Sequence, residues 1–190
     1  MEEIKIKNLI IGFGKAGKTL AADLAKHGES VILAEESNLM YGGTCINIGC
    51  IPSKKLIAEG EQRRHQPDKA EAFGTAMENK AKLVEALRNA NYHKVADAPS
   101  VEVMNAQASF VDAHTVMLKS RDKKTQVTAE RIFINTGASA NRLNIEGADG
   151  PRIYYSTEML SLAQCPERLV IVGGGYISLE FACMYQGFWQ

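Results

Sequence analysis

The sequence carries no surplus of either charge: 22 lysines and arginines face 22 aspartates and glutamates. Contact with a phosphate backbone or an anionic lipid surface calls for a basic excess, so the balance argues against a nucleic-acid partner and against a polybasic membrane-surface role. Long apolar runs are also missing. The longest are strand-sized, short of the roughly 20 residues that cross a bilayer, and no membrane partner is expected. The first eight residues mix acids and lysines without the apolar stretch of a secretory signal, so the expected location is the cytoplasm. Cysteine is scarce, with four in 190 residues, too few and too scattered for a disulfide-stapled scaffold. Cys165 and Cys183 stand alone and read as ordinary buried thiols, since free cysteine behaves as a small hydrophobe. What remains is the composition of a soluble globular chain, long enough for one domain and part of another.

The pattern along the chain is α/β. Ile4–Ile11 reads as a strand, Lys15–His27 as a helix with Leu20, Leu24 and Ala25 on one face, and Val31–Ala34 as a second strand. Gly28 stands where a helix C-terminus favours glycine. Strand, helix, strand implies parallel pairing through a right-handed crossover. A turn at Gly42-Gly43-Thr44 leads to a helix over about Ile51–Arg64, a polar loop over Arg63–Lys69, and a helix over about Ala72–Tyr92 with Leu83 and Leu87 on its apolar stripe. Four short segments, Val101–Met104, Ala108–Val111, Val116–Lys119 and Gln126–Thr128, suggest a small antiparallel layer. Arg131–Asn135 reads as a buried strand, Ala140–Asp149 as a linker and Thr157–Leu162 as a short helix. Leu169–Val172 reads as a strand that runs into Gly173-Gly174-Gly175 and another helix. The expected division is 1–145 and 146–190.

Gly12, Gly14 and Gly17 match GxGxxG between a strand and a helix. The first glycine permits a tight turn, the second lets the backbone approach a pyrophosphate, and the third lets the helix pack on the strand. The helix N-terminus offers N–H groups to the phosphates. Gly12 through Gly17-Lys18-Thr19 also fits the nucleoside-triphosphate loop GxxxxGK[ST]. Glu35 favours the dinucleotide, because an acid about 20 residues on, at the end of the second strand, suits ribose hydroxyls. The later apolar strands end in Asn135 and in glycines, where a magnesium aspartate would be needed for triphosphate chemistry. On the dinucleotide reading Lys18 is a solvated helix residue.

Cys45 and Cys50 lie five apart in GGTCINIGCIPSK. On an ideal helix that spacing points them about 140° apart, so a disulfide needs Cys45 in an irregular first turn, and Gly49 makes that affordable. The start of a helix favours negative charge on sulfur. A zinc site wants about four ligands at recognisable spacing, and no histidine accompanies the pair, so no metal is expected. A redox dithiol is the reading these residues favour.

GGTCINIGCIPSK is very similar to the active-site motif of the class I flavoprotein disulfide reductases, a group that includes dihydrolipoamide dehydrogenase, glutathione reductase and mercuric reductase. IIGFGKAGKTLA and MYGGTCINIGCIPSK most resemble its reactive-chlorine-resistance branch. LRNANYHKVAD, IFINTGA and IVGGGYISLEFA follow in the expected order, so the likeness runs through the whole chain. It implies a Rossmann-like FAD-binding domain and the beginning of a second Rossmann-like, NAD(P)-binding one. It implies that Gly12, Gly14, Gly17 and Glu35 hold the ADP part of FAD, with Gly43 and Thr44 near the pyrophosphate and ring. Cys50 would be the thiol beside the flavin, and Cys45 the interchange thiol that attacks substrate. Lys54 would approach the flavin, paired with Glu180. Ala108 would meet adenine through its backbone, and Thr136-Gly137 would close over the cofactor.

Gly173 and Gly175 fit the nicotinamide-nucleotide fingerprint. Ser178 replaces its third glycine and is expected to crowd the helix–strand contact; Ala106 likewise replaces a glycine before the adenine contact. The implied activity is reduction of a small disulfide or a metal ion with NAD(P)H as donor. A complete family enzyme also has a Gly-Asp flavin segment and a C-terminal dimer domain, which supplies a His–Glu pair to the partner subunit of a homodimer. Neither is recognisable here, so the chain reads as an N-terminal fragment with little turnover of its own. A flavin-binding or partner-binding remnant without activity is the competing reading, and a triphosphatase a more distant one.

Overall fold

A computed structural model describes residues 2–189. The chain forms two compact units that interleave in sequence. One takes the chain through Asn47 and then Ala86–Ala138; the other takes Ile48–Glu85 and the chain from Ser139 on.

The first unit is built on a six-stranded sheet of order β3-β2-β1-β6-β5-β4. The strands are β1 (Glu2–Ile11), β2 (Val31–Glu35), β3 (Val101–Asn105), β4 (Gln107–Phe110), β5 (Thr115–Lys119) and β6 (Lys124–Ile134). β3, β2, β1 and β6 run parallel, while β5 pairs antiparallel with both β4 and β6. Central parallel strands are covered on both faces, which is why the end of β1 and nearly all of β2 are apolar and buried. Alternation sorts the side chains onto the two faces. Leu9 and Ile32 join Val116, Leu118 and Val127 of the antiparallel strands on one side. Ile10, Val31 and Leu33 join Ala21 and Leu24 of helix α1 (Lys15–Lys26) on the other.

Three sequence expectations change here. Val101–Met104 does not belong to the antiparallel layer: β3 pairs parallel with β2 along Val31↔Val101 to Glu35↔Asn105. The segments Gln126–Thr128 and Arg131–Asn135 are one strand, because β6 serves two neighbours at once; Thr128 lies beside Lys5 of β1 and Thr115 of β5. The second half of β6 is only partly covered, with Arg131 and Ile134 exposed.

Glu29 ties the far end of this sheet together. It accepts from Asn8 Nδ2 at 3.0 Å, pairs with Lys7 at 2.9 Å, and also pairs with Arg131 of β6. The bonds from Lys7 and Asn8, with the charge of Arg131, hold its carboxyl down to about 2. A carboxyl depressed by folding adds stability above its unfolded value and loses it as pH falls through the folded one. The stability gap between the unsubstituted chain and Glu29→Gln is therefore expected to be widest above pH 5 and to shrink toward pH 2. Denaturant titrations across that range check this; a gap independent of pH would count against the ion-pair role.

The second unit is helical: α3 (Cys50–Arg63), the first part of α4 (Lys69–Ala96), the short α5 (Ser156–Met159) and α6 (Tyr176–Gln186). α4 is longer than its apolar pattern implies, since Asp68 caps it by accepting from Glu71 N at 2.9 Å. Leu56, Phe73, Met184, Tyr185 and Phe188 form its core. α3 and α6 meet backbone to backbone, for a Cβ on Gly187 would stand 2.7 Å from the Gly60 Cα. Glu59 is buried in α3 and takes Lys55, Arg63 and Asn79 as partners.

Leu169–Val172 is not a strand. A strand needs a neighbour to complete its hydrogen bonds, and no described strand pairs with this segment. Val170 and Val172 are 88% and 80% exposed.

Candidate functional site

The carboxyl ends of β1, β2 and β6 converge in the first unit. Gly12 N donates to Ala34 O at 2.7 Å, and Asn135 N donates to Ile11 O at 2.7 Å. Gly12 takes φ +106°, and a Cβ there would lie 2.1 Å from the carbonyl oxygen of Asn135. Only glycine fits. Gly17 is equally confined, its Cβ position being 2.3 Å from Gly12 O. Gly14 precedes α1 with no side-chain cap, so N–H groups of the first turn have no capping acceptor. Together these make a loop of side-chain-free backbone at the positive end of a 12-residue helix, an arrangement open to an anion.

The Gly42-Gly43 turn lies on this loop. Gly42 N donates to Phe13 O at 3.1 Å. Gly43 has φ +82°, and a Cβ on it would sit 2.6 Å from the Gly14 Cα. Between turn and loop opens a cleft of about 870 Å³, lined among others by Gly14, Ala16, Thr44, Cys45, Asn135 and Gly137. Thr44 and Cys45 begin the short α2 (Thr44–Asn47), and both are exposed. Phe13, Tyr41 and Tyr92 stack behind the loop with ring centroids 4.8 to 6.4 Å apart.

Glu35 stands at the end of β2. Its carboxylate already accepts from Phe13 N at 2.9 Å and from Ser37 N at 3.2 Å, which fixes its place against the glycine loop. Each oxygen keeps a second lone pair for a further donor. Ala108 lies on β4, an edge strand of the sheet, so one side of its backbone is unladdered. Thr136 and Gly137 follow β6 and are exposed.

Two residues of this region were not singled out from the sequence as site residues. Asn135 donates from Nδ2 to Gly12 O at 3.1 Å and lies against Gly14 and Gly17. Its position, where a parallel strand beside β1 ends, was the available signal. Asn47 is buried; its amide donates to Tyr41 O at 3.0 Å and Gly43 O at 2.9 Å, and its Oδ1 accepts from Arg88 at 2.8 Å. It holds the turn before Cys45 in shape. Lys18 is not simply solvated: it is half-buried and donates to Asn91 Oδ1.

In the second unit, Cys50 opens α3 and is exposed. Residues 48 and 49 interrupt the helical run, so Cys45 and Cys50 belong to separate helices. Gly49 O accepts from Ser53 Oγ at 2.8 Å and Ser53 N at 3.2 Å, which fixes the start of α3. Lys54 Nζ pairs with Glu180 of α6. Cys183 is exposed on α6 and Cys165 only half-buried, so neither is the buried thiol expected of it. Gly173 has φ +109° and Gly175 precedes α6, but nothing lies within 4 Å of a Cβ on Gly174 or Gly175. Ser178 crowds no strand, because among the described residues no strand leads into Gly173. Among the described residues no helix is long and apolar enough to cross a membrane, and no group of three metal-ligating side chains gathers.

The chain was compared with known proteins. Residues 6–189 match the family described as pyridine nucleotide-disulphide oxidoreductase. A probable pyridine nucleotide-disulfide oxidoreductase, RclA, of Escherichia coli K12 is 45% identical over 185 residues, covering 97% of this chain and 40% of that protein. A dihydrolipoyl dehydrogenase of Geobacillus stearothermophilus is 35% identical, covering 97% and 41%. A mercuric reductase of Lysinibacillus sphaericus is 33% identical, covering 93% and 33%. The solved Cu(II) complex of the HOCl-induced flavoprotein disulfide reductase RclA from E. coli superposes with a TM-score of 0.90 at 45% identity, over 97% of this chain and 41% of that one. The chain thus spans about 40% of the length of the two most similar of these relatives. The match and the superposition bear out the α/β, Rossmann-like fold class expected from the sequence. This chain belongs to the pyridine nucleotide-disulphide oxidoreductase family.

Proposed function

We propose that the chain carries the FAD-binding part and the reducing dithiol of an NAD(P)H-dependent flavoprotein reductase of small disulfides or metal ions, with residues 1–145 as the flavin domain. The observation that carries this reading is the cradle of Gly12, Gly14, Gly17 and Gly43 around a cleft that reaches Cys45. Side-chain-free backbone at a helix N-terminus is what a pyrophosphate requires. Glu35 takes the ribose, Thr44 the cofactor near its ring, Ala108 the adenine, and Thr136-Gly137 the covering side. Lys54, held by Glu180, keeps the flavin-facing role that the family likeness implies. When bound, FAD supplies two-electron transfer between a nicotinamide and a disulfide.

The cysteines perform the outgoing half of the reaction. The Cys45 thiolate attacks one sulfur of the acceptor disulfide, and the other sulfur leaves as a thiolate that takes a proton. Cys50, deprotonated, attacks Cys45 Sγ of the mixed disulfide, and the second acceptor thiol leaves. Two electrons have passed to the acceptor, and Cys45–Cys50 is a disulfide. The residues Gly173, Gly175 and Ser178 do not form a comparable cradle.

The exposed apolar segment Val170–Val172 favours a second reading, in which the chain binds flavin or a partner without turnover. Visible absorption after loading with FAD, before and after one equivalent of reductant without oxygen, separates the two. The expected result is a flavin spectrum that gains a long-wavelength shoulder on reduction and loses it in Cys50→Ser. A protein that takes up flavin but shows no shoulder supports the second reading; one that cannot be loaded overturns the reductase reading and the flavin-binding form of the second.

A further inference from the structure

The half-buried lysine in the first helix has no part in the scheme above. Lys18 is on the second turn of α1, and its ammonium donates to the side-chain oxygen of Asn91 on α4. Asn91 is itself held, donating from Nδ2 to Leu87 O at 2.7 Å. The Asn91 side chain lies under the Gly42 turn, its Cβ 3.5 Å from where a Gly42 Cβ would be. The ammonium is thereby held by an amide that packs on the Gly42 turn, three residues before Cys45.

Its electrostatic neighbours are few. Burial pushes the ammonium below its ordinary value, Lys15 and Lys94 push the same way, and the Cys45 sulfur pulls against them. Interaction between two charges is reciprocal, so a cation that feels the sulfur also favours its thiolate. Lys15 and Asp23 of α1 line the same cleft as Cys45, and Arg88 of α4 is taken up by Asn47.

We propose that Lys18 is a positioning residue for the interchange cysteine: clamped by Asn91, it holds a fixed positive charge that keeps Cys45 ready as a thiolate. This rests on reading Cys45 as the attacking thiol, and it adds a group on the flavin domain itself that activates the sulfur. The lysine of the GxGxxGK string, which resembles a phosphate-binding residue, serves a sulfur instead.

The test is the pH dependence of Cys45 alkylation by iodoacetamide in the Cys50→Ser chain, followed by peptide mass spectrometry. Cys183, exposed on α6, serves as the internal reference. Lys18→Met is expected to raise the midpoint for Cys45 by about half a unit to one unit, with Cys183 unmoved. Lys18→Gln, which keeps a hydrogen bond but no charge, is expected to shift it equally, and Lys18→Arg to restore it. An equal midpoint in all four proteins overturns the proposal. So does a shift shared by Cys183, or by Lys18→Arg, which would mark a disturbed fold. Because alkylation needs neither flavin nor turnover, failure here is distinct from failure of the reductase reading, which the absorption experiment reports.

Discussion

Replacing Gly12 by alanine is expected to cost about 3 kcal/mol or more of stability in the first unit. Two penalties coincide. The backbone stands at φ +106°, where a side chain is strained, and the new methyl group would lie 2.1 Å from the Asn135 carbonyl oxygen. Backbone cannot swing aside as a side chain can. Relief requires moving β6 away from β1, and that breaks the bond between Asn135 N and Ile11 O. Gly14→Ala makes the informative contrast. At φ −73° the conformation suits any residue, and the nearest atom, 3.0 Å away, belongs to the Asn135 side chain, which can shift where backbone cannot. That variant is expected to fold nearly as well yet bind FAD at least tenfold more weakly, because its methyl group stands on the pyrophosphate's approach. Urea midpoints and flavin titration check the pair. Similar midpoints for Gly12→Ala and the unsubstituted chain would overturn the steric account, and tight flavin binding by Gly14→Ala would overturn the cradle.

Glu59→Ala is expected to be comparably damaging in the second unit, at about 3 kcal/mol. The side chain is almost wholly enclosed in α3 and answers three donors, Lys55 at 2.6 Å, Arg63 at 2.8 Å and Asn79 of α4 at 3.1 Å. Removing it strands two cations and an amide at a helix–helix contact. Burial alone would raise this carboxyl; the bonds from Lys55, Arg63 and Asn79 outweigh burial and hold it below its ordinary range. Its contribution is therefore complete above the unfolded carboxylate range and disappears as pH falls through the lower folded value. Thermal unfolding of the two proteins at pH 7 and in acid measures both effects. A small loss at pH 7, or a loss unchanged in acid, would contradict the buried-network account.

The parts of the fold legible in the sequence were those fixed by local pattern. The strand–glycine–helix–strand unit over Ile4–Ala34 was readable because apolar period, glycine spacing and Glu35 agreed. The turn at Gly42-Gly43-Thr44 was readable because successive glycines mark a turn. What stayed hidden depends on distant neighbours. Nothing within Val101–Asn105 announces that its partner is the parallel strand β2 instead of the next strand in the chain. Asn47 and Asn135 look like loop residues until the carbonyls they serve, Gly43 O and Gly12 O, are placed beside them. Leu169–Val172 has a strand's composition, but composition supplies no partner. Lys18 was read from its string, and the amide that holds it lies 73 residues away.

The union of β1 with β6 also has a consequence in time. Asn135 and Gly12 are 123 residues apart in the chain. A ribosome adding about 5–20 residues per second needs roughly 6 to 25 seconds to pass from one to the other. For that interval β1 can pair with β2 across the short crossover but shows its other edge, Leu9 to Ile11, to whatever else is in the cell. Closing so long a loop is also slow once β6 exists. The charged side chains at every second position at the start of β1, Glu3, Lys5 and Lys7, precede that apolar stretch and discourage a second nascent chain from pairing there.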